Sequence, residues 1–324
     1  MKKIAVFTSG GDSPGMNPCI RAVVRAALYH EIEVVGIRRG YKGMIENDFE
    51  PLDSKAVSYI LNRGGTMLGS ARSQAFHTKE GRAEAYKNLK AHNVDGVVAI
   101  GGDGTFTGAK VFMEEYNDIH FIGVPGTIDN DLYGTDFTIG YDTAVNTAME
   151  AIDKIKDTAV SHDRLFFVEV MGRDAGFIAA LSGIAAGAKA ILIPETKTDI
   201  NELVDLLRKN AEKKKLSNIV VVAEGDDEGG AFEIAQKVKS KIGIFDVKVT
   251  ILGHLQRGGS PTCMDRVLAS RLGVAAVEAL KNGVNGVMVG QLHRDISYIP
   301  LEQAIKHNQK YSDHWEKLVE ILAF

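Results

Sequence analysis

The chain has 324 residues, 45% of them hydrophobic and 7% aromatic, a profile with length enough for two domains of ordinary size. Lys and Arg total 38 against 42 Asp and Glu, a net charge of -4, so there is no basic excess to attract nucleic acid or an anionic membrane, and any anion site must be local. Cys19 and Cys263 are the only two cysteines, which excludes a disulfide framework and suits a reducing cytoplasm.

After Met1-Lys2-Lys3 comes an apolar run over residues 4–9, too short for a signal-peptide core or a membrane span, so a soluble, unprocessed chain is expected. Its residues 4–8 read as a first strand. The next helix is predicted over 18–29: Asn17 caps it, Pro18 suits its first turn, and Ile20, Val23, Val24, Ala27 and Leu28 make one apolar face. Arg21 and Arg25 lie on the other face. Further β-branched runs follow at 34–37, 97–100, 121–124, 165–170, 191–193, 219–223, 247–252 and 287–289, most of them separated by helical patterns. That alternation predicts βα units around buried, mostly parallel sheets. Many of the 34 glycines stand at the ends of these runs, where backbone can approach a ligand closely.

Two of the run ends echo each other, Ser9-Gly10-Gly11-Asp12 and Ile100-Gly101-Gly102-Asp103. Each follows a strand and precedes a helix, a position at the carboxyl edge of a sheet where open α/β folds bind ligands. In Gly101-Gly102-Asp103-Gly104-Thr105 the glycines let backbone N–H groups close on phosphates, and Asp103 suits magnesium. A plain strand-to-helix turn with a capping Asp explains the same residues, and NAD and lipid kinases carry a similar string. Pro125-Gly126-Thr127-Ile128-Asp129-Asn130-Asp131 presents two carboxylates at a strand end. One suits proton acceptance and the other orientation or a metal, although Asp-Asn-Asp is also common turn chemistry.

Taken with Thr8-Ser9-Gly10-Gly11-Asp12-Ser13-Pro14-Gly15-Met16-Asn17, Arg63-Gly64-Gly65-Thr66, Met171-Gly172-Arg173 and Gly253-His254-Leu255-Gln256-Arg257-Gly258-Gly259-Ser260-Pro261, these segments resemble, in order, the phosphofructokinase family, its bacterial ATP-dependent members in particular. The resemblance runs from Lys3 to about Gly290. It implies two Rossmann-like three-layer α/β domains with mostly parallel sheets and an active site in the cleft between them. Their expected extents are 1–138 with 252–300 for ATP and 139–251 with 301–324 for the sugar phosphate. It implies that Gly11, Arg72, Ser73, Gly102, Asp103, Gly104 and Thr105 line the ATP site, with Asp103 on Mg2+. Thr127, Ile128 and Asp129 are expected at the sugar, Asp129 as general base toward its 1-hydroxyl. Met171, Gly172, Arg173, Glu224, His254, Leu255, Gln256 and Arg257 are expected to hold fructose 6-phosphate. Arg164 and Lys248 are expected to reach its phosphate from a neighbouring subunit of a homotetramer. Arg72, Arg173 and magnesium are the natural stabilisers of the charge-rich transition state.

Pyrophosphate-dependent relatives typically carry Asp at the position of Gly104 and Lys at that of Gly126, so glycine at both points to ATP. At the family's second, effector-binding site the matching positions are Arg21, Arg25, Lys156, Lys189, Lys213 and Lys215. Lys156 stands where arginine is expected and Lys189 where a magnesium-binding glutamate is expected, which disfavours a magnesium-bound diphosphate.

Overall fold

A computed structural model of the chain describes residues 1–160, 164–212, 218–243, 245–305, 317–318 and 321. Its strands, in chain order, are β1 (Lys3–Thr8), β2 (Glu33–Ile37), β3 (Phe49–Pro51), β4 (Gly96–Gly101), β5 (His120–Pro125) and β6 (Arg164–Val170). They continue with β7 (Ala190–Leu192), β8 (Asn218–Ala223), β9 (Asp246–Ile251), β10 (Val287–Leu292) and β11 (Asp295–Pro300). The helices are α1 (Met16–Tyr29), α2 (Tyr41–Glu46), α3 (Lys79–Ala91), α4 (Asp103–Glu115) and α5 (Tyr141–Val160). They continue with α6 (Phe177–Ala186), α7 (Ile200–Glu212), α8 (Ala231–Ile242), α9 (Cys263–Lys281) and the single turn α10 (Leu301–Ala304). Among the described residues no helix is long and apolar enough to cross a membrane.

The chain divides into two compact units, residues 1–143 with 257–309 and residues 144–256 with 310–324. Residues 301–304, expected from the sequence in the sugar-phosphate domain, pack in the first unit. Leu301 and Ala304 join its core, and Leu301 N donates to Gly286 O at 3.0 Å.

The first unit is a seven-stranded sheet in the order β11-β10-β5-β4-β1-β2-β3. Pairing is parallel from β10 to β2, while β3 and β11 are antiparallel edges. The period of two along a strand sorts its side chains between two cores. Ile4, Val6, Val98, Ile100, Ile122 and Val124 pack with α1 and α9, whereas Ala5, Phe7, Val97, Ala99 and Phe121 pack with α3 and α4. Because both faces are covered, these strands read as continuous apolar runs. Helices α1 and α9 approach closely at Gly273, where a Cβ would lie 2.7 Å from the Ala22 Cβ and 2.9 Å from Cys19 O.

Asn17 does not cap α1: the cap is Gly15 at φ 122°, and the helix begins at Met16. The Asn17 amide is buried, donating to Arg63 O and Gly64 O, both at 3.1 Å, and accepting from Met67 N at 2.7 Å. Long-range satisfaction of a loop backbone has overridden local capping preference.

The second unit is a four-stranded, wholly parallel sheet in the order β7-β8-β6-β9. Leu165, Phe167, Val220 and Val222 form its core with Leu203 and Leu207 of α7 and Ile234 and Val238 of α8.

Candidate active site

In the first unit the strand order reverses direction at β1, which lies between β4 and β2. Such a switch point leaves a crevice at the strands' carboxyl ends. The echoing loops meet there: Ser9 N donates to Ile100 O at 3.0 Å, and Gly126 N donates to Gly101 O at 2.9 Å, adding the loop after β5. A side chain at Gly101 would overlap Thr105 Oγ1 and come within 2.7 Å of Ser9 O, so glycine is required for this convergence. The Arg63-Gly64-Gly65-Thr66 segment closes on the end of β1 through a 2.8 Å hydrogen bond between the Thr8 and Thr66 hydroxyls. Ser70 donates to Gly10 O, tying the segment with Arg72 and Ser73 to the first glycine loop. Arg72 itself is exposed.

Helix α4 opens at Asp103, with Gly102 as its cap, so backbone N–H groups without intrahelical partners face the loop cluster. Asp103 Oδ1 and Thr105 Oγ1 are buried and have no hydrogen-bond partner. Buried polar atoms are normally paired, so two orphaned oxygens at the start of one helix call for a ligand. A single free carboxylate oxygen fits magnesium shared with nucleotide phosphates, a cation that takes only one or two protein carboxylates at such sites. A Cβ at Gly104 would meet nothing within 4 Å, so this residue opens onto free space. At Gly126 a Cβ would lie 2.9 Å from the Ile100 side chain and 3.3 Å from that of Met16.

Thr127 and Asp129 are each 8% exposed on the loop after β5. Asp129 N donates to Thr127 Oγ1 at 3.3 Å. Asn130, at φ 53°, accepts from Thr138 N at 2.8 Å and donates to Asp136 O at 3.3 Å, while the Thr138 hydroxyl donates to Thr127 O at 2.6 Å. Ile128 is wholly buried, so its side chain packs in the protein. Arg257 belongs to this unit, with its guanidinium against Gly11 and Nη1 donating to Asp12 O at 3.2 Å.

In the second unit, Met171-Gly172-Arg173 follows β6, Glu224 follows β8, and Gly253-His254-Leu255-Gln256 follows β9, all at the carboxyl edge of one sheet. Glu224 Oε1 accepts from Arg173 N at 2.8 Å. Arg173 is held at φ 53°, unusual for a residue with a side chain, and its carbonyl lies where a Cβ on Gly225 would sit. Gln256, fully buried, accepts from Met171 N at 3.2 Å and donates to Gly253 O at 3.1 Å. Its side chain therefore braces the loops. His254 and Leu255 are exposed.

Arg164 and Lys248 lie toward the other end of the same strands. Arg164 opens β6 opposite Asp246, and Lys248 stands opposite Phe166. Both cations reach Asp246, at 3.3 and 3.0 Å, and the Lys248 hydrogen bond foremost holds that carboxyl below its ordinary range.

Of the effector positions, Arg21 and Arg25 lie four apart on α1, and partial burial, then Arg25, lowers the Arg21 pKa. Lys156 donates to Ala186 O at 2.9 Å, at the carboxyl end of α6 where a cation offsets the helix dipole. Lys189 N donates to Ile219 O at 2.8 Å. Lys213 and Lys215 lie outside the described residues. Cys19 is buried in the first core and its thiol pKa is pushed up by burial, which suits packing.

Comparison with known proteins gives a family. The model of the family named Phosphofructokinase matches residues 3–280. ATP-dependent 6-phosphofructokinase 1 of Thermus thermophilus is 54% identical over 323 residues, covering 100% of both chains. ATP-dependent 6-phosphofructokinase 2 of Bacteroides thetaiotaomicron is 54% identical over 309 residues, covering 95% of this chain and 94% of that one. Among solved structures, phosphofructokinase from Saccharomyces cerevisiae superposes with a TM-score of 0.90 at 36% identity, over 100% of this chain and 48% of the yeast chain.

Proposed function

Because the chain belongs to the phosphofructokinase family, we propose that it transfers the γ-phosphoryl group of ATP to the 1-hydroxyl of fructose 6-phosphate, releasing ADP and fructose 1,6-bisphosphate. The observation that carries this reading is the convergence of the loops after β1, β4 and β5. It puts the orphaned oxygens of Asp103 and Thr105, in the first turn of α4, next to the loop bearing Thr127 and Asp129. In this reading Asp129 takes the proton of the 1-hydroxyl as that oxygen attacks the γ-phosphorus, and the bond to the ADP oxygen breaks. Thr127 and the backbone at Ile128 orient the sugar, while Arg72 and Arg173 offset charge on the transferring group. Asp103 would hold magnesium, which when bound would offset phosphate charge. The open space at Gly104 favours a nucleotide donor over pyrophosphate.

In the second unit, Met171, Gly172, Arg173, Glu224 and His254 take the sugar phosphate. The carboxyl-edge loops and the Arg164–Lys248 pair lie toward opposite ends of one sheet. That separation supports assigning the pair to the sugar phosphate of a neighbouring copy in a cytoplasmic homotetramer. Lys248 keeps the charge but not the planar fork of the arginine expected there. Lys248→Arg should hold or improve apparent sugar-phosphate affinity, and a large loss would remove that position from the phosphate. Control by a magnesium-bound nucleoside diphosphate is expected to be weakened, since Lys189 replaces a carboxylate and Lys156 is engaged at the end of α6.

The test is coupled ADP release with fructose 6-phosphate, NAD or no acceptor. Turnover confined to fructose 6-phosphate supports the reading, and equal ADP release without acceptor would sink it.

A further inference from the structure

Helix α9 begins with Thr262 as cap, whose hydroxyl accepts from Asp265 N at 3.2 Å. An acidic residue at this third helical position ordinarily reaches back to the backbone N–H of the cap and closes a reciprocal box. Here it does not. Thr262 N donates instead to the Thr143 hydroxyl at 3.0 Å, and the Asp265 carboxylate turns away, fully buried. Its Oδ1 accepts from Gly140 N at 2.8 Å, and its Oδ2 accepts from Thr143 N at 2.8 Å and from the Thr143 hydroxyl at 2.5 Å.

Those donors end the return limb of the loop that bears Thr127 and Asp129. Ile139 N donates to Pro125 O at 2.8 Å, residues 126 and 139 form a parallel bridge, and Thr138 donates to Thr127 O. Gly140, at φ 104°, presses on Ser13, where a Cβ would lie 2.6 Å from the serine Cβ. A Cβ on Gly15 would lie 3.7 Å from the Asp265 Cβ. One buried carboxylate thus holds the start of α5 and the strap behind the loop after β5, and that strap packs at Gly140 against Ser13.

We infer that Asp265 is a positioning residue for phosphoryl transfer, fixing through Gly140 and Thr143 the strap that sets Thr127 and Asp129. The inference rests on the function proposed above. A charged acceptor facing three donors has no neutral equivalent: asparagine accepts through one atom and turns an N–H toward donors. Loops that position reacting groups are sensitive to shifts of about 1 Å, which can cost on the order of 100-fold in rate.

Asp265→Asn should lower kcat about 10- to 100-fold while KM for ATP changes less than about threefold, because the glycine loops are left in place. Thr143→Val keeps volume but removes the hydroxyl's hydrogen bond to Asp265 and the acceptor of Thr262 N; because Gly140 N and Thr143 N still bind the carboxylate, it should give a smaller loss of the same kind. The double variant should be no worse than Asp265→Asn alone, as expected for residues acting as one unit. Amide hydrogen exchange supplies a readout independent of turnover: residues 126–140 should exchange at least about tenfold faster in folded Asp265→Asn, with the core of the second unit unchanged. Near wild-type kcat in both variants would overturn the inference, as would exchange rising uniformly across the chain. A wild-type chain inactive on fructose 6-phosphate would instead overturn the function, leaving the exchange pattern to decide the strap.

Discussion

The two loop clusters at sheet carboxyl edges are built by different means. In the first unit the glycine loops converge by backbone proximity, with Gly101 admitting no side chain and Gly104 opening onto free space, and polar atoms are left without partners. In the second unit side chains clamp backbone, Glu224 on Arg173 N and Gln256 on Met171 N, and Arg173 is held at positive φ. A polyphosphate binds through many N–H groups and a cation, so its site needs approach and open space. A sugar phosphate is recognised by a few placed groups, so its site needs loops fixed beforehand.

That contrast can be broken most severely at Asp129. If it is the base, Asp129→Ser should cost on the order of 10² to 10⁴ in kcat with little change in fructose 6-phosphate affinity, measured by steady-state kinetics on folded protein. Near wild-type turnover would reject the assignment.

The next contrast is in pH. Burial raises Asp265 from 3.8 to about 6, whereas hydrogen bonding to Lys248 depresses Asp246. For Asp265 the native state binds its proton before the unfolded chain does, so its contribution to stability rises as pH falls from 7 toward 4, by on the order of 1–3 kcal/mol. For Asp246 the sign is reversed, and its contribution is lost as pH falls through the depressed value. Urea unfolding of wild type and Asp265→Asn at several pH values should show the difference moving in favour of wild type on acidification. A pH-independent difference would mean that the buried carboxylate keeps an ordinary pKa.

A smaller effect is expected at the loop after β6, proposed above to take the sugar phosphate. Glu224→Ala leaves Arg173 N without its acceptor, and losing a hydrogen bond to a charged group corresponds to roughly a tenfold loss. Apparent fructose 6-phosphate affinity should fall by about that factor while KM for ATP holds; an equal change in both would mean that the clamp serves the whole fold.

Smallest is Gly104→Ala, because the new methyl meets no protein atom within 4 Å. Thermal stability should stay within about 0.5 kcal/mol of wild type. KM for ATP should rise a few-fold where the methyl intrudes on nucleotide. Gly101→Ala, which cannot be accommodated beside Thr105 and Ser9 O, should lower Tm instead. If both variants behaved alike, backbone proximity would not distinguish the two glycines.

Much of this was legible in the chain because it depends on local periodicity and on motifs at strand ends. Every β-branched run from 4–8 to 287–289 overlaps a strand, since buried parallel strands must be apolar throughout. The strands missed, β3 and β11, are antiparallel edges: Phe49-Glu50-Pro51 and Asp295-Ile296-Ser297-Tyr298-Ile299-Pro300 carry proline and charge, which suit an edge and disguise it. The glycine loops announced themselves by their repeated glycines, of which Gly101 is the one where close backbone approach to Ser9 O admits no side chain.

The sequence by itself determined the α/β class, the family and the residues expected at each substrate, all readable from order and spacing. Only the tertiary structure decided what the polar side chains face. Asn17 looked like a helix cap and instead satisfies a loop 46 to 50 residues away. Asp265, which no motif marked, holds Gly140 and Thr143 at separations of 125 and 122 residues. Gln256 stood in a substrate motif and points inward. A buried hydrogen bond is worth making with whichever donor the fold delivers, and unpaired groups cost more than local preferences return, so such partners are set by topology and not by neighbours in the chain.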